Sequence, residues 1–286
     1  GNPRADGGVV DLGGASVEFC RVAAGEPGLG VTTPLGPQRL SALSSGRGAL
    51  RRAIRRELDR LPAELRPGGG RLFLVGGAWR ALAKAQMARA NYPLRVLHEY
   101  RLDRAEALDL AQWGARSRPD KLAELPGVSG ARAPTLPLGA ALLEEILEAT
   151  GAEDVMVSAF GLREGVCLDN IPEALRGQDA LVAACRAQEA RRARAPGFGE
   201  ELGAWLCQVL EPEREEARLL RAAALLCDVN WRTHPDYRTQ GAWETVTRSS
   251  ITDIGHSGRA FLGAALVARH KSGRKGANGV PADLLD

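Results

Sequence analysis

Val9-Val10-Asp11-Leu12-Gly13-Gly14-Ala15-Ser16-Val17-Glu18-Phe19 opens as a strand, turns through two glycines and returns as a second strand in which Val17 and Phe19 alternate with polar neighbours. That alternation predicts a β-hairpin. The glycines let the backbone turn sharply, so that successive N–H groups can face an oxyanion, and a phosphate suits such a concavity. Ser16 adds a hydroxyl donor. Asp11 and Glu18, on opposite arms, can converge on a hydrated Mg²⁺, which favours hard oxygen ligands and keeps several waters. An ordinary hairpin with a glycine turn and a surface glutamate fits the same residues, because short motifs match by chance.

Two further stretches share the strand-then-glycine form. In Leu72-Phe73-Leu74-Val75-Gly76-Gly77-Ala78-Trp79-Arg80-Ala81-Leu82 a strand (71–75) ends in a double glycine and opens a helix (78–90). Orphan N–H groups and the positive end of the helix dipole at Gly76 and Gly77 suit an anion; a tight strand–helix packing turn is the other reading. Ser158-Ala159-Phe160-Gly161-Leu162-Arg163-Glu164-Gly165-Val166 reads as the end of a strand (154–160) followed by a turn over 161–165.

Outward from these, a third strand is expected at 31–35 and amphipathic helices at 47–61, 103–114 and 139–150, the last ended by Gly151. Strands and helices interspersed over residues 8–168 give an α/β pattern. Beyond Ile171-Pro172 no strand-like run remains, and helices are expected at 178–194, 199–210, 213–228, 240–247 and 258–270. Residues 1–170 therefore read as one α/β domain, 171–272 as an all-helical domain, and 273–286 as a mobile tail.

Composition excludes several classes. Hydrophobic residues at 44% and charged residues at 26% are ordinary for a folded globular chain, which sets aside disordered and membrane classes. The formal charge of +3 is too small for a general nucleic-acid coat or a polybasic membrane surface, although the basic residues are nearly all arginine. Lysine stands only at Lys84, Lys121, Lys271 and Lys275. Five scattered cysteines, Cys20, Cys167, Cys185, Cys207 and Cys227, form no CxxC pair and fit a reducing cytoplasm.

The three glycine motifs, in this order and spacing, resemble the exopolyphosphatase/guanosine-pentaphosphate phosphohydrolase (Ppx/GppA) family, within the superfamily of actin, sugar kinases and heat-shock chaperone ATPases. Asp11 to Glu18 is similar to that family's second phosphate loop, D-[IL]-G-G-G-S-x-E, with Ala15 at the third glycine. Thr33-Pro34-Leu35-Gly36-Pro37-Gln38-Arg39-Leu40 is similar to its "LPLGAVRL" segment, and Gly161 to Val166 to its "GLREGV" signature. Ala222 to Val229 resembles the "AALLHDIG" helix of HD phosphohydrolases, with Cys227 where a metal-binding histidine would stand. Only His98, His234, His256 and His270 are present, so metal catalysis by that domain is not expected. Trp231, His234, Pro235, Asp236 and Tyr237 read as a structural corner first and as the wall of a polyphosphate channel second.

The resemblance implies a fold: an actin-like (ribonuclease H-like) second lobe followed by a degenerate HD-like domain. It also implies an activity, Mg²⁺-dependent hydrolysis of the terminal phosphoanhydride of inorganic polyphosphate and also of pppGpp. Gly13, Gly14, Ser16, Gly76 and Gly77 would hold phosphate, Asp11 and Glu18 the metal, and Glu18 would support catalysis. The family's first lobe, with its phosphate loop and water-activating glutamate, has no counterpart in these residues, so a fragment with little activity of its own is expected. A homodimer is expected; a membrane or a specific nucleic acid is not. A non-catalytic polyphosphate- or nucleotide-binding module and an actin-like ATPase remain as alternatives.

Overall fold

A computed structural model describes residues 5–43, 46–66, 69–270 and 284. In β1 (Gly7–Leu12) Val10 and Leu12 are buried while Asp11 is only partly so, and in β2 (Val17–Ala23) Val17 and Phe19 are buried with Glu18 between them. The two strands pair antiparallel with Asp11 opposite Glu18, and β3 (Glu26–Thr33) extends the meander on the far side of β2. Expected at 31–35, the third strand starts earlier and stops at Thr33. Pro27, Gly28 and Gly30 mask it in sequence, but an edge strand tolerates all three.

Helices α1 (Pro37–Leu43) and α2 (Arg47–Leu58) lead to β4 (Arg71–Val75), which lies parallel to β1 with Val75 beside Asp11. After α3 (Gly77–Arg89), β5 (Tyr100–Asp103), α4 (Arg104–Arg116), α5 (Pro119–Ala123) and α6 (Leu136–Thr150), the chain enters β6 (Asp154–Val157). β6 is parallel to β4 and antiparallel to β5, so the sheet order is β3-β2-β1-β4-β6-β5. Helix α4 is opened by a reciprocal cap: the Asp103 carboxylate accepts the Glu106 N–H and the Glu106 carboxylate the Asp103 N–H. Helix α6 is closed by Gly151 at φ 63°. The core is aliphatic, with Ile54, Leu82, Leu142, Leu143 and Ile146 fully buried, and the Trp79 indole inside it donates to the Val10 carbonyl at 3.2 Å. Buried Glu145 of α6 accepts the Nε–H groups of both Arg51 and Arg55 of α2, which satisfies a carboxylate that would be costly if left unpaired.

The stretch 161–165, expected as a turn, is the start of helix α7 (Leu162–Asp169). Its glycines suggest a turn, but the Glu164 carboxylate accepts the Gly161 N–H at 2.7 Å and caps a helix instead. Strand β6 correspondingly stops at Val157, short of the expected 160, and α2 ends at Leu58 rather than 61.

The chain divides into two compact units, Gly1–Tyr92 with Leu97–Ile171, and Pro93–Val96 with Pro172–Asp286. Among its described residues the second unit is helical: α8 (Glu173–Arg176), α9 (Ala180–Arg192), α10 (Phe198–Leu210), α11 (Arg214–Leu226), α12 (Arg238–Thr247) and α13 (His256–Ala268). Leu181, Cys185, Leu225, Leu226, Val246 and Leu262 form its core. Gly199 and Gly203 let α10 approach the backbone of α11 closely. Fully buried Arg259 donates to the carbonyls of Val246 and Ile251, tying α12 to the loop that follows it. The expected mobile tail falls outside the described residues, apart from position 284.

Candidate active site

Strands β1, β4 and β6 run parallel, so their carboxyl ends share one edge of the sheet, where open α/β sheets bind ligands. That edge collects all three glycine motifs. Asp11 lies one residue before the end of β1, Gly76-Gly77 follows β4, and Ser158 to Gly161 follows β6, with the Ser158 N–H donating to the Leu74 carbonyl at 2.9 Å.

The hairpin loop is closed from within. The Gly13 N–H donates to the Ser16 carbonyl at 3.0 Å, and the Gln38 N–H donates to the Gly14 carbonyl at 2.9 Å. The Gly13 amide, one of the expected phosphate donors, is thus already engaged. Among the described residues, no acceptor takes the N–H groups of Gly14, Ala15 and Ser16, which remain as the loop's donors. Neither Gly13 nor Gly14 has a positive φ. The residue that admits the loop is Gly36, whose added Cβ would lie 2.5 Å from the Ala15 Cα.

Asp11 and Glu18 are directly opposed across an antiparallel pair, which sets their side chains on the same face within reach of one small cation. Ser16 Oγ donates to Glu18 Oε1 at 2.6 Å. Burial raises the Asp11 pKa above its ordinary value, the Glu18 charge raises it further, and the Arg80 guanidinium partly offsets both. Arg80, in the first turn of α3, also donates to the Ala159 carbonyl at 3.2 Å. The Glu164 pKa is lowered by the N–H groups of Gly161 and of its own residue, with Arg163 and Arg80 adding to the effect.

At the second turn, Gly76 sits at φ 117°, and a Cβ there would lie 2.5 Å from the Leu12 carbonyl oxygen and 3.2 Å from Asp11 Oδ1. Gly76 therefore leaves open the space beside Asp11 that a side chain would fill. Gly77 starts α3, and the space over it holds the Arg132 guanidinium, whose Cζ would be 2.5 Å from a Cβ at that position. Sequence reasoning missed Arg80 and Arg132 as members of this rim. A basic residue three places after a double glycine could have flagged Arg80; nothing local flags Arg132, which lies 55 positions beyond Gly77 in the chain.

In the helical unit, Asp228 accepts from the Arg194 N–H, Nε–H and Nη2–H, and Trp231 lies beneath the guanidinium groups of Arg194 and Arg232. His234 Nδ1 accepts the Asp236 N–H at 3.3 Å, and the His234 and Tyr237 rings are 6.1 Å apart. Burial raises the Cys227 pKa. Among the described residues, no group of three or more His, Cys, Asp or Glu could hold a metal ion, and no helix is long and apolar enough to cross a membrane.

The mixed sheet that carries this hairpin and acidic pair has a fold similar to that of solved Ppx/GppA structures. The Aquifex aeolicus member of the Ppx/GppA protein family matches with a TM-score of 0.51 at 20% identity, over 62% of this chain and 60% of that one. An exopolyphosphatase from Cytophaga hutchinsonii matches with a TM-score of 0.51 at 21% identity, over 58% of this chain and 57% of that one. At these identities the likeness concerns the fold. Residues 3–174 match the Ppx/GppA phosphatase family and residues 181–285 the exopolyphosphatase C-terminal family, and the chain belongs to the Ppx/GppA phosphatase family. The uncharacterized protein SCO0757 of Streptomyces coelicolor is 29% identical over 177 residues, 58% of this chain and 52% of that protein. The chain thus spans little more than half the length of these relatives.

Proposed function

We propose that the sheet edge around Asp11 is the phosphate- and metal-holding side of a site that hydrolyses the terminal phosphoanhydride of inorganic polyphosphate, with pppGpp as a second substrate of the same chemistry. The observation that carries this reading is the opposition of Asp11 and Glu18 beside a loop with open N–H groups at Gly14, Ala15 and Ser16. Mg²⁺ fits the donor set, because it binds through one or two carboxylates completed by substrate phosphates and water. The raised Asp11 pKa supports the fit, since a cation relieves the repulsion from Glu18 that contributes to it. Bound there, Mg²⁺ would offset charge on the phosphoanhydride oxygens.

The chain's own groups position the substrate. The loop amides would donate to non-bridging oxygens of the terminal phosphate, with Gly76 and Gly77 bordering it. A water oxygen then bonds to the terminal phosphorus as the bond to the bridging oxygen breaks; the shortened polyphosphate leaves, and the water proton passes to a base. Asp11 and Glu18 would be engaged in holding the metal, and Glu18 accepts the Ser16 hydroxyl, so the base would be a group other than these two. Little turnover is expected from the 286 residues alone. The same reading takes the sheet unit as an actin-like lobe, the helical unit as an HD-like domain without a metal site, and the protein as a cytoplasmic homodimer.

Phosphate release from polyphosphate with Mg²⁺ by the natural protein that carries this chain is the test. Glu18→Gln should keep the fold and remove most turnover, and an unchanged kcat would remove Glu18 from the site. Salt-sensitive polyphosphate binding with no released phosphate would instead mark a binding module. Turnover of ATP alone would mark an actin-like ATPase.

A further inference from the structure

Two exposed helix faces carry opposite charge. In α2 five arginines stand against one glutamate. Arg51 and Arg55 meet Glu145 and Arg47 meets the Ala115 carbonyl, but among the described residues exposed Arg52 and Arg56, one turn apart, form no hydrogen bond or ion pair. From Glu200 to Glu216 six glutamates stand against one arginine. Glu200 pairs with Arg186 and Glu215 with Arg218, whereas Glu201, Glu211, Glu213 and Glu216 meet no cation among the described residues. The net charge of the whole chain is only +3, so the two stretches segregate charge of both signs.

The acidic stretch also carries apolar surface that its own unit leaves exposed. Gly199 and Gly203 bring one face of α10 onto α11. Phe198, Trp205 and Val209 lie on another face, 47%, 56% and 57% exposed, with Glu201 beside them. Such a stripe could pair with itself across a twofold axis, but that would set the glutamates of one copy against those of the other. A basic partner removes the repulsion. Arginine suits this face in a second way, because its methylene stem covers apolar surface while its guanidinium stacks on an indole.

We propose that α2 of one copy of this chain docks on the α10 face of a second copy, with Arg52 and Arg56 against Trp205 and Glu201, and that two such reciprocal contacts close a homodimer. This inference rests on the homodimer reading given above and is independent of the phosphatase reading.

Sedimentation equilibrium of the full 286-residue chain is the test. The wild type should dimerise at low salt and dissociate as salt rises. Arg52→Glu with Arg56→Glu should weaken dimerisation about tenfold or more while circular dichroism shows the fold retained, and Glu201→Arg should weaken it several-fold. Trp205→Ala, which changes no charge, should weaken it about tenfold as a buried aromatic anchor of the contact. Mixing the arginine-reversed chain with the Glu201→Arg chain should restore association, because each then offers the other complementary faces. A wild-type dimer that the reversals and Trp205→Ala leave intact, or a mixture as dissociated as its components, overturns this inference alone. A wild-type chain that stays monomeric at low salt overturns the homodimer reading, and this inference with it.

Discussion

The two double glycines on the sheet edge look alike in sequence and make opposite demands on the backbone. Gly13 and Gly14 sit in a loop with no positive φ; a Cβ on Gly13 would meet Ser16 O at 3.4 Å, and one on Gly14 only the flexible end of Gln38 at 3.1 Å. Gly76 has φ 117°, and a Cβ there would run into the Leu12 backbone. The hairpin loop, for its part, depends on Gly36, a glycine outside both pairs, because the Ala15 and Ser16 backbone packs directly on it. Steric need thus sits where one backbone crosses another, and glycine density in the motif does not report it.

Gly36→Ala and Gly76→Ala should break the sheet edge most severely. Each forces a Cβ into backbone atoms that cannot rotate away, and Gly76 adds a conformation strained for any L side chain, so about 3 kcal/mol or more of destabilisation is expected in urea melts. If Gly76→Ala melted like the wild type, the close crossing of β1 by the β4–α3 turn would be wrong.

The acidic pair supplies a smaller effect of opposite sign. Asp11 has its pKa raised in the fold by burial and by Glu18, so the folded state holds its proton more tightly than the unfolded chain does. Stability is then greatest below the ordinary carboxylate pKa and falls as pH rises through the raised value. Asp11→Asn should therefore raise the midpoint of urea unfolding at pH 7, and at the proposed site it should weaken Mg²⁺ binding measured by calorimetry. The gain should vanish at low pH, where wild-type Asp11 is protonated as well. A variant less stable than wild type at pH 7 would mean that Asp11 contributes a contact to the fold.

Much of this edge was legible in sequence because it is local. Alternation places Val10, Leu12, Val17 and Phe19 on one face, and that pattern alone sets Asp11 and Glu18 together on the other. What stayed hidden is long-range or context-dependent. β5 (Tyr100–Asp103) is too short to read as a strand until β6 pairs with it. The GLREGV stretch has a turn composition, and only the reach of Glu164 back to Gly161 makes it a helix. Arg132 joins the rim through the packing of the segment before α6, which no spacing rule predicts. The helical unit was read from periodicity to within a few residues at most ends, whereas Asp228, the acceptor that gathers Arg194 and Arg269, needed the fold.

The smallest expected effect on stability sharpens the contrast between the glycine pairs most. At Gly13 an alanine meets no clash and no left-handed conformation, and replacing glycine restricts the unfolded chain. Gly13→Ala should therefore be neutral or stabilising by up to about 1 kcal/mol, measured in the same urea melts. Tripolyphosphate titration of the same variant separates two reasons for a glycine there. If affinity falls while stability holds, position 13 is kept small so that a phosphate can approach the loop, which is the demand that the fold itself does not make. If neither changes, the glycine serves neither the backbone nor the ligand, and the approach to phosphate must lie on the Gly14, Ala15 and Ser16 side of the turn.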